Sequence, residues 1–280
     1  MKVLLTGRSG QVGFELARVL PPLGEVLSTG RGDLNLADAD AIRRAVRAAK
    51  PQLIVNAAAY TAVDKAESEP EVAMRINASA PGVLAEEAKR LGAMLVHYST
   101  DYVFDGTKRT GYVEDDAPNP LSVYGRSKLA GERAIRDSGC RHLILRTSWV
   151  YGPRGKNFFL TIAGKARAGE RLRVVADQRG VPTTSAFLAE KTLALLAKDA
   201  NGLLHLVPAG ETTWYDFARE IVQLAASTSE VQPIKTGEFP VAARRPANSV
   251  LDNRKAAAIL GAPMPDWRTL VRGVRESAEL

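Results

Sequence analysis

The sequence predicts an α/β protein, a doubly wound parallel sheet that gives way to a smaller lobe toward the C-terminus. Three observations carry this expectation. The chain opens with a short apolar strand that runs straight into a glycine-rich turn and a helix. Short apolar runs and helix-periodic stretches then alternate, as in a parallel sheet covered on both faces. Beyond Gly152 the alternation loosens.

With 280 residues, 45% hydrophobic and 25% charged, the chain has the material for a sizeable core. Its net charge of +7 is spread among acids, as in Glu86-Glu87-Ala88-Lys89-Arg90, and no zinc-finger spacing or aromatic-rich RNA-binding motif occurs. A nucleic-acid partner is therefore not expected, whereas a local positive site suits a phosphorylated small molecule. The first apolar run stops at Gly7, too short for a secretory signal, and none approaches the ~18 residues of a membrane span. A cytoplasmic protein without a membrane partner is expected. Cys140, the single cysteine, excludes an intrachain disulfide and a cysteine-based metal site.

Lys2 to Leu5 form the first strand, followed at once by Thr6-Gly7-Arg8-Ser9-Gly10-Gln11-Val12-Gly13. Phe14, Leu16, Ala17 and Leu20 then recur at helical spacing until Pro21-Pro22 stops the helix. Glycines let a backbone approach a diphosphate, and a helix N-terminus favours the anion. Gly7, Gly10 and Gly13 are thus placed at a dinucleotide cradle, and the sheet is expected to be Rossmann-type. The second strand, Glu25 to Ser28, leads to Thr29-Gly30-Arg31-Gly32-Asp33. An acid at this strand end holds the ribose hydroxyls in NAD-selective folds. Arg31 sits close to that place and suits a 2′-phosphate, so NADPH is expected ahead of NADH, with Asp33 leaving NADH open. By position, Asp33 and Leu34 flank the adenine.

Asp38 caps a helix over 39–49, and Leu53-Ile54-Val55 is the third strand, ending in Asn56-Ala57-Ala58-Ala59-Tyr60. Small side chains at a strand's carboxyl end let a flat cofactor lie against the backbone. Helical periodicity covers 71–91, with Pro81 as a kink or break. Met94 to Tyr98 is the fourth strand and ends in Ser99-Thr100-Asp101-Tyr102. After a turn-rich stretch comes a helix to about Asp137 that bears Tyr124 and Lys128, one turn apart on one face. Tyrosine ionises near pH ~10, and a lysine cation beside it favours the phenolate, so the pair can deliver a proton next to a bound nicotinamide. Thr100, at a strand end, converges with Tyr124 and can hydrogen-bond a substrate oxygen. Alone, Tyr-x-x-x-Lys is a weak signal. Downstream of a dinucleotide cradle it becomes a candidate site.

The fifth strand, His142 to Arg146, is followed by Thr147 through Gly152. A helix from Asn157 toward Ala168, a strand over 171–175 and a loop over 177–183 come next. A helix over 185–198 and a further sheet strand over 203–207 follow. Thr213 caps a helix through Ala225, and two more helices start near Asn253 and after Trp267. The organisation expected is a dinucleotide-binding domain over 1–152, its sheet completed by about 183–225. Residues 153–182 and 226–280 are expected to form the substrate-binding lobe.

Thr6-Gly7-x-x-Gly10-x-x-Gly13, Asn56 through Ala59, Ser99-Thr100-Asp101 and Tyr124-x-x-x-Lys128, in this order, resemble the extended short-chain dehydrogenases/reductases. Tyr60 through Glu67, Ser99 through Gly106, Pro120 through Gly125, Arg146 through Tyr151, Asn157-Phe158 and Arg245 through Ser249 narrow the likeness. They are similar to the dTDP-4-dehydrorhamnose reductase family over essentially the whole chain. The resemblance implies NAD(P)H-dependent reduction of the 4-keto group of dTDP-4-dehydro-β-L-rhamnose to dTDP-β-L-rhamnose. It implies a catalytic trio of Thr100, Tyr124 and Lys128, and a cofactor lined by Gly10, Gln11, Val12, Ala59, Tyr60, Thr61, Tyr98, Tyr124 and Lys128. It puts Thr100, Asp101 and Trp149 at the sugar, and Asn157, Arg179 and Arg245 at the nucleotide diphosphate. Some members form homodimers through carboxylates and a magnesium ion. Glu15 and Glu190 match two such positions, with Glu276 and Glu279 near the third, and no residue here is assigned to a metal.

Related dehydratases carry an Asp-Glu pair after the threonine, because eliminating water needs an acid and a base. Here Tyr102 follows Asp101, which favours reduction. Two alternatives stay open at this stage. One is another NDP-4-keto-sugar reductase or epimerase. The other is a non-catalytic regulatory subunit resembling that of methionine adenosyltransferase, for which an intact trio has no use.

Overall fold

The structure, a computed structural model, describes residues 1–277, with side chains described through Val274. In chain order it runs β1 (Lys2–Thr6), α1 (Gln11–Val19), β2 (Glu25–Thr29), α2 (Ala39–Ala49), β3 (Leu53–Asn56), α3 (Val63–Ala66), α4 (Pro70–Met74) and α5 (Ala80–Leu91). It continues with β4 (Met94–Thr100), α6 (Val123–Ser138), β5 (His142–Thr147), β6 (Val150–Tyr151), α7 (Phe158–Arg167), β7 (Leu172–Val175) and β8 (Arg179–Gly180). The last elements are β9 (Thr183–Thr184), α8 (Ser185–Ala197), β10 (Gly202–His205), β11 (Thr212–Thr213), α9 (Trp214–Leu224), β12 (Val231–Ile234), α10 (Arg254–Leu260) and α11 (Trp267–Ser277).

Six strands pair in the order β10-β5-β4-β3-β1-β2, all parallel, which is the Rossmann-type sheet the sequence predicts. Strands β3 and β4 are buried along their whole length, because helices cover both faces. Alternation along each strand divides the core in two. Val3, Leu5, Val55, Val96 and Leu145 face α1 and α8 through Leu16, Leu20, Phe187 and Leu188. Leu4, Ile54, Leu95 and Ile144 face α2, α5 and α6 through Ile42, Val46, Leu84 and Ile135. The strand expected over 203–207 joins the sheet beside β5. From β1 the strand order runs one way to β2 and the other way to β3, so a crevice opens between the carboxyl ends of β1 and β3.

The helix expected over 71–91 is not continuous. Residues Arg75–Ser79 form a π-helical turn between α4 and α5, and Pro81 falls in the first turn of α5, where its missing N–H breaks no hydrogen bond of that helix. A Cβ on Gly131 of α6 would lie 2.1 Å from the Asn77 carbonyl oxygen, so only glycine lets α6 pack this closely on the π turn.

A second core lies outside the sheet, where Tyr151, Phe159, Ile162, Leu172, Phe217, Ile221 and Trp267 pack together. Strand β7 pairs in parallel with β12, which lacks a strand signature because Pro233 sits inside it. The stretch 183–225 divides: α8 and β10 pack with the sheet, whereas α9 packs in this second core. The loop expected over 177–183 contains β8, paired antiparallel with β11, and leads into β9, paired with β6. Among the described residues, no helix is long and apolar enough to cross a membrane.

Candidate functional site

The glycine turn after β1 closes tightly. Gly7 has φ +81°, its N–H donates to the Thr29 carbonyl at 2.9 Å, and a Cβ there would fall 2.8 Å from the Ala58 nitrogen. A Cβ on Gly13 would stand 2.0 Å from the Gly7 carbonyl oxygen. Gly13 therefore seats α1 on the turn rather than lining the cavity. Helix α1 starts at Gly10 with no side-chain cap and no acid in its first turn, which leaves its leading N–H groups to an anion.

From this turn a cavity of about 830 Å³ crosses the sheet's carboxyl edge. Its borders include Gly7, Gly10, Gln11, Val12, Arg31 and Leu34 at one end and Ala57, Ala58, Ala59, Tyr60 and Thr61 along the middle. Tyr98, Thr100, Asp101, Tyr124, Lys128 and Trp149 close the far end. The π turn holds the middle in place: Asn77 accepts from the Tyr60 N–H at 2.8 Å and donates to the Tyr60 carbonyl at 3.0 Å. The cradle, the uncapped helix and the small alanine floor fit a dinucleotide.

Helix α6 is capped by Ser122, whose Oγ accepts from the Gly125 N–H at 3.1 Å. A Cβ on Gly125 would lie 2.2 Å from the Tyr102 carbonyl oxygen. This close approach brings Tyr124 against the turn after β4, where it hydrogen-bonds Thr100. Thr100 in turn donates to Asp101 Oδ1 at 2.9 Å and accepts from the Tyr102 N–H at 3.1 Å.

Burial pushes the Tyr124 phenol up to about 12, and the Thr100 hydrogen bond opposes this. The expectation that Lys128 draws Tyr124 down is not met. The Lys128 ammonium is turned to the Tyr98 carbonyl at 2.6 Å and to His97 Nε2 at 3.1 Å. Burial pushes Lys128 itself down to about 8, opposed by the charge on Glu132. Asp101 is 2% exposed, and burial pushes its carboxyl up to about 7 against hydrogen bonds from Ser249 and Thr100. Its Oδ2 is buried without a hydrogen-bond partner among the described residues. Beneath the site Glu132 forms a fully buried bidentate pair with Arg146, at 2.9 and 2.7 Å, and accepts from Ser99 Oγ at 2.5 Å.

Four other expected residues do not border the cavity. Asp33 accepts from the Gly30 N–H at 2.8 Å and pairs with Arg8 at 3.1 Å, so it closes its own turn. Asn157 caps α7 through Leu160 and spends its amide N–H groups on Gln11, Gly152 and Arg154. Arg179 is held by Glu211 and the Arg109 carbonyl. Arg245 is clasped by Asp64 at 2.7 and 3.0 Å and reaches the rim only through a hydrogen bond with Tyr102.

The structure adds Lys156 and Trp214 to the walls. Trp214 stacks face to face on Trp149, with ring centroids 3.5 Å apart and planes at 10°. Trp149 adopts φ +47°, and its ring lies where a Cβ on Gly180 would be. Nothing local in the sequence separates Trp214 from an ordinary core aromatic. His97 carried no motif either, yet it touches Lys128. Of the carboxylates considered for magnesium, Glu15 is paired with Arg18 at 3.1 Å and Glu190 is exposed on α8. Glu279 and the side chain of Glu276 lie outside the described residues.

A family model described as the RmlD substrate binding domain matches residues 1–279. The chain is similar to a dTDP-4-dehydrorhamnose reductase of Burkholderia thailandensis, 45% identical with 97% of each chain covered. It is also similar to a crystal structure of a dTDP-4-dehydrorhamnose reductase from Clostridium acetobutylicum, with TM-score 0.96, 36% identity and 100% of both chains covered. A third match is the enzyme of the same name from Bacillus anthracis in complex with NADP, with TM-score 0.94, 34% identity and 99% of both chains covered.

Proposed function

The chain belongs to the RmlD substrate binding domain family, and from that membership we propose that it reduces the 4-keto group of dTDP-4-dehydro-β-L-rhamnose to give dTDP-β-L-rhamnose. The observation that carries this reading is the convergence of Thr100, Tyr124 and Lys128 on the same cavity that the glycine turn borders. Tyr102, where a dehydratase has its second carboxylate, leaves that end without the base that elimination needs.

NADPH is the proposed coenzyme, held by the turn from Gly7 to Val12, the leading N–H groups of α1 and the alanine floor. Arg31 borders the cavity where a 2′-phosphate would lie, while Asp33 is engaged with Arg8 and Gly30. When bound there, the coenzyme would supply the hydride for the sugar C4 and be oxidised to NADP+. Tyr124 donates its phenolic proton to the oxygen on which the negative charge develops. A phenol held up near 12 is fully protonated at neutral pH and ready to donate. Thr100 holds that oxygen by a hydrogen bond, and Lys128, one helical turn from Tyr124, supplies positive charge to offset the phenolate. Asp101 and Trp149 are proposed to hold the sugar.

The test supplies dTDP-4-dehydrorhamnose with NADPH or NADH, follows the reduced-nicotinamide absorbance and identifies the product. Tyr124→Phe is expected to lower turnover by about 100-fold or more while coenzyme affinity stays within about twofold. Near-normal turnover in that variant would remove Tyr124 from the mechanism.

A further inference from the structure

A line of buried polar side chains crosses the sheet below the site. Thr6, Asn56 and His97 occupy paired positions on the adjacent strands β1, β3 and β4. Thr6 Oγ1 lies 2.6 Å from Asn56 Oδ1, and Asn56 Nδ2 lies 3.0 Å from His97 Nδ1. The other imidazole nitrogen lies 3.1 Å from Lys128 Nζ, and all four residues are at most 2% exposed. Purely structural packing at the centre of a parallel sheet calls for aliphatic residues. Here the line joins the glycine turn to the lysine of the proton step.

We propose that His97 is a positioning residue that keeps Lys128 charged, and that it couples the charge on Lys128 to the hydrogen-bond direction along Asn56 and Thr6. This rests on the role given to Lys128 above.

The number of protons on each group sets the direction of every hydrogen bond in the line. Burial holds His97 neutral, well below the usual imidazole range, so the ring carries one N–H. An ammonium has donors only. When Lys128 is charged, Nε2 must be bare and Nδ1 carries the proton. Asn56 then turns its carbonyl to His97 and its amino group to Thr6. When Lys128 is neutral, its lone pair accepts from Nε2–H and the amide faces the other way. The two arrangements differ by a half-turn of the Asn56 amide, which exchanges its oxygen and nitrogen.

A hydrogen bond from an ammonium is stronger than one to a neutral amine. Removing His97 therefore destabilises the charged form more and lowers the lysine further. The remaining groups around Lys128 do not replace it. Glu132 on the same helix offsets only part of the burial and spends its hydrogen bonds on Arg146 and Ser99, and the Tyr98 carbonyl on β4 is already engaged. Asp101, beyond β4, is hydrogen-bonded to Thr100 and raises Tyr124 on α6. The π turn presents the uncharged Asn77, which is bound to Ser127.

Two measurements test this. Nitrogen-15 spectra of the three histidines, with His97 assigned by its loss in His97→Gln, read the tautomer without turnover. His97 is expected to change from the Nδ1–H to the Nε2–H form as pH rises through the Lys128 titration, and to hold one form in Lys128→Met. A tautomer that ignores both pH and Lys128→Met overturns the coupling. In steady-state assays, His97→Leu is expected to move the basic limb of kcat down by about one pH unit, a tenfold change in the proton equilibrium. Coenzyme affinity should not change, and His97→Gln, which keeps an acceptor, should restore the limb. A folded His97→Leu protein with an unmoved limb overturns the positioning role. The spectra stand even where the substrate assignment fails, so the two readings fall separately.

Discussion

Asp101 holds a carboxyl in a place that disfavours its charge. Its pKa in the fold is about 7 against an ordinary value of 3.8, with burial the dominant cause. The folded value lies above the unfolded one. Ionised Asp101 therefore weighs against the fold above pH 7, by on the order of 4 kcal/mol, and the penalty fades as pH falls from 7 toward 4. Asp101→Asn removes this dependence. In thermal melts the variant is expected to lie above the parent at pH 8, with the gap narrowing by more than half at pH 5; a gap independent of pH would contradict the reading. At this scale the sequence was informative where a residue type is scarce and its spacing fixed. Tyr124 and Lys128, four apart, could be paired on paper. The partners of Lys128 could not, because His97 lies on a different element and becomes a neighbour only through sheet register. The partner of Arg245, which the resemblance puts at the diphosphate, was hidden for a related reason: Asp64 lies far away in sequence.

Strand β1, the glycine turn and α1 act as one element, and its tolerance is set by backbone distances. At Gly13 a methyl group would need to occupy space 2.0 Å from a carbonyl oxygen, whereas Gly164 on α7 has nothing within 4 Å. Gly13→Ala is therefore expected to weaken coenzyme binding by at least about tenfold, a loss of about 1.4 kcal/mol. Gly164→Ala should raise stability by about 0.5–1 kcal/mol without touching coenzyme affinity. Calorimetry and coenzyme titration of both variants check this. Elements with long apolar periodicity were legible in advance, including all six sheet strands. The pairs β8 with β11 and β6 with β9 were not, because two-residue strands have no periodicity and exist through their partners. The π turn at 75–79 was hidden as well. Its sequence reads as ordinary helix, and the extra residue shows only where Asn77 meets Tyr60 and α6.

Taken as a whole, the molecule is tied by polar contacts between residues far apart in sequence. The clearest is Asp64 with Arg245, two residues 181 positions apart that fix the chain segment beside Tyr102. Asp64 also accepts from the Ala243 N–H at 3.1 Å. Being partly exposed, the ion pair contributes little to global stability, about 1 kcal/mol or less. Its effect is on position. Asp64→Ala is expected to leave coenzyme affinity intact, raise KM for the sugar nucleotide by at least about threefold and speed proteolytic cleavage within 236–245. Unchanged KM and cleavage would show that the segment holds itself. The sheet could be read from the sequence because its pattern is local and repeated. The second core could not, since α7, α9 and α11 each show an apolar face but not which face it meets.

The two indoles stacked at the seam have a further consequence. Trp149 follows β5 of the sheet, Trp214 begins α9, and both rings pack against the second core. The remaining tryptophan, Trp267, is buried within the second core. Rings packed face to face share their electronic excitation, and the strength of that sharing falls steeply as they slide or separate. The protein thus carries an internal optical gauge of how Trp149 seats on the start of α9, with a buried reference chromophore beside it, written in three native side chains.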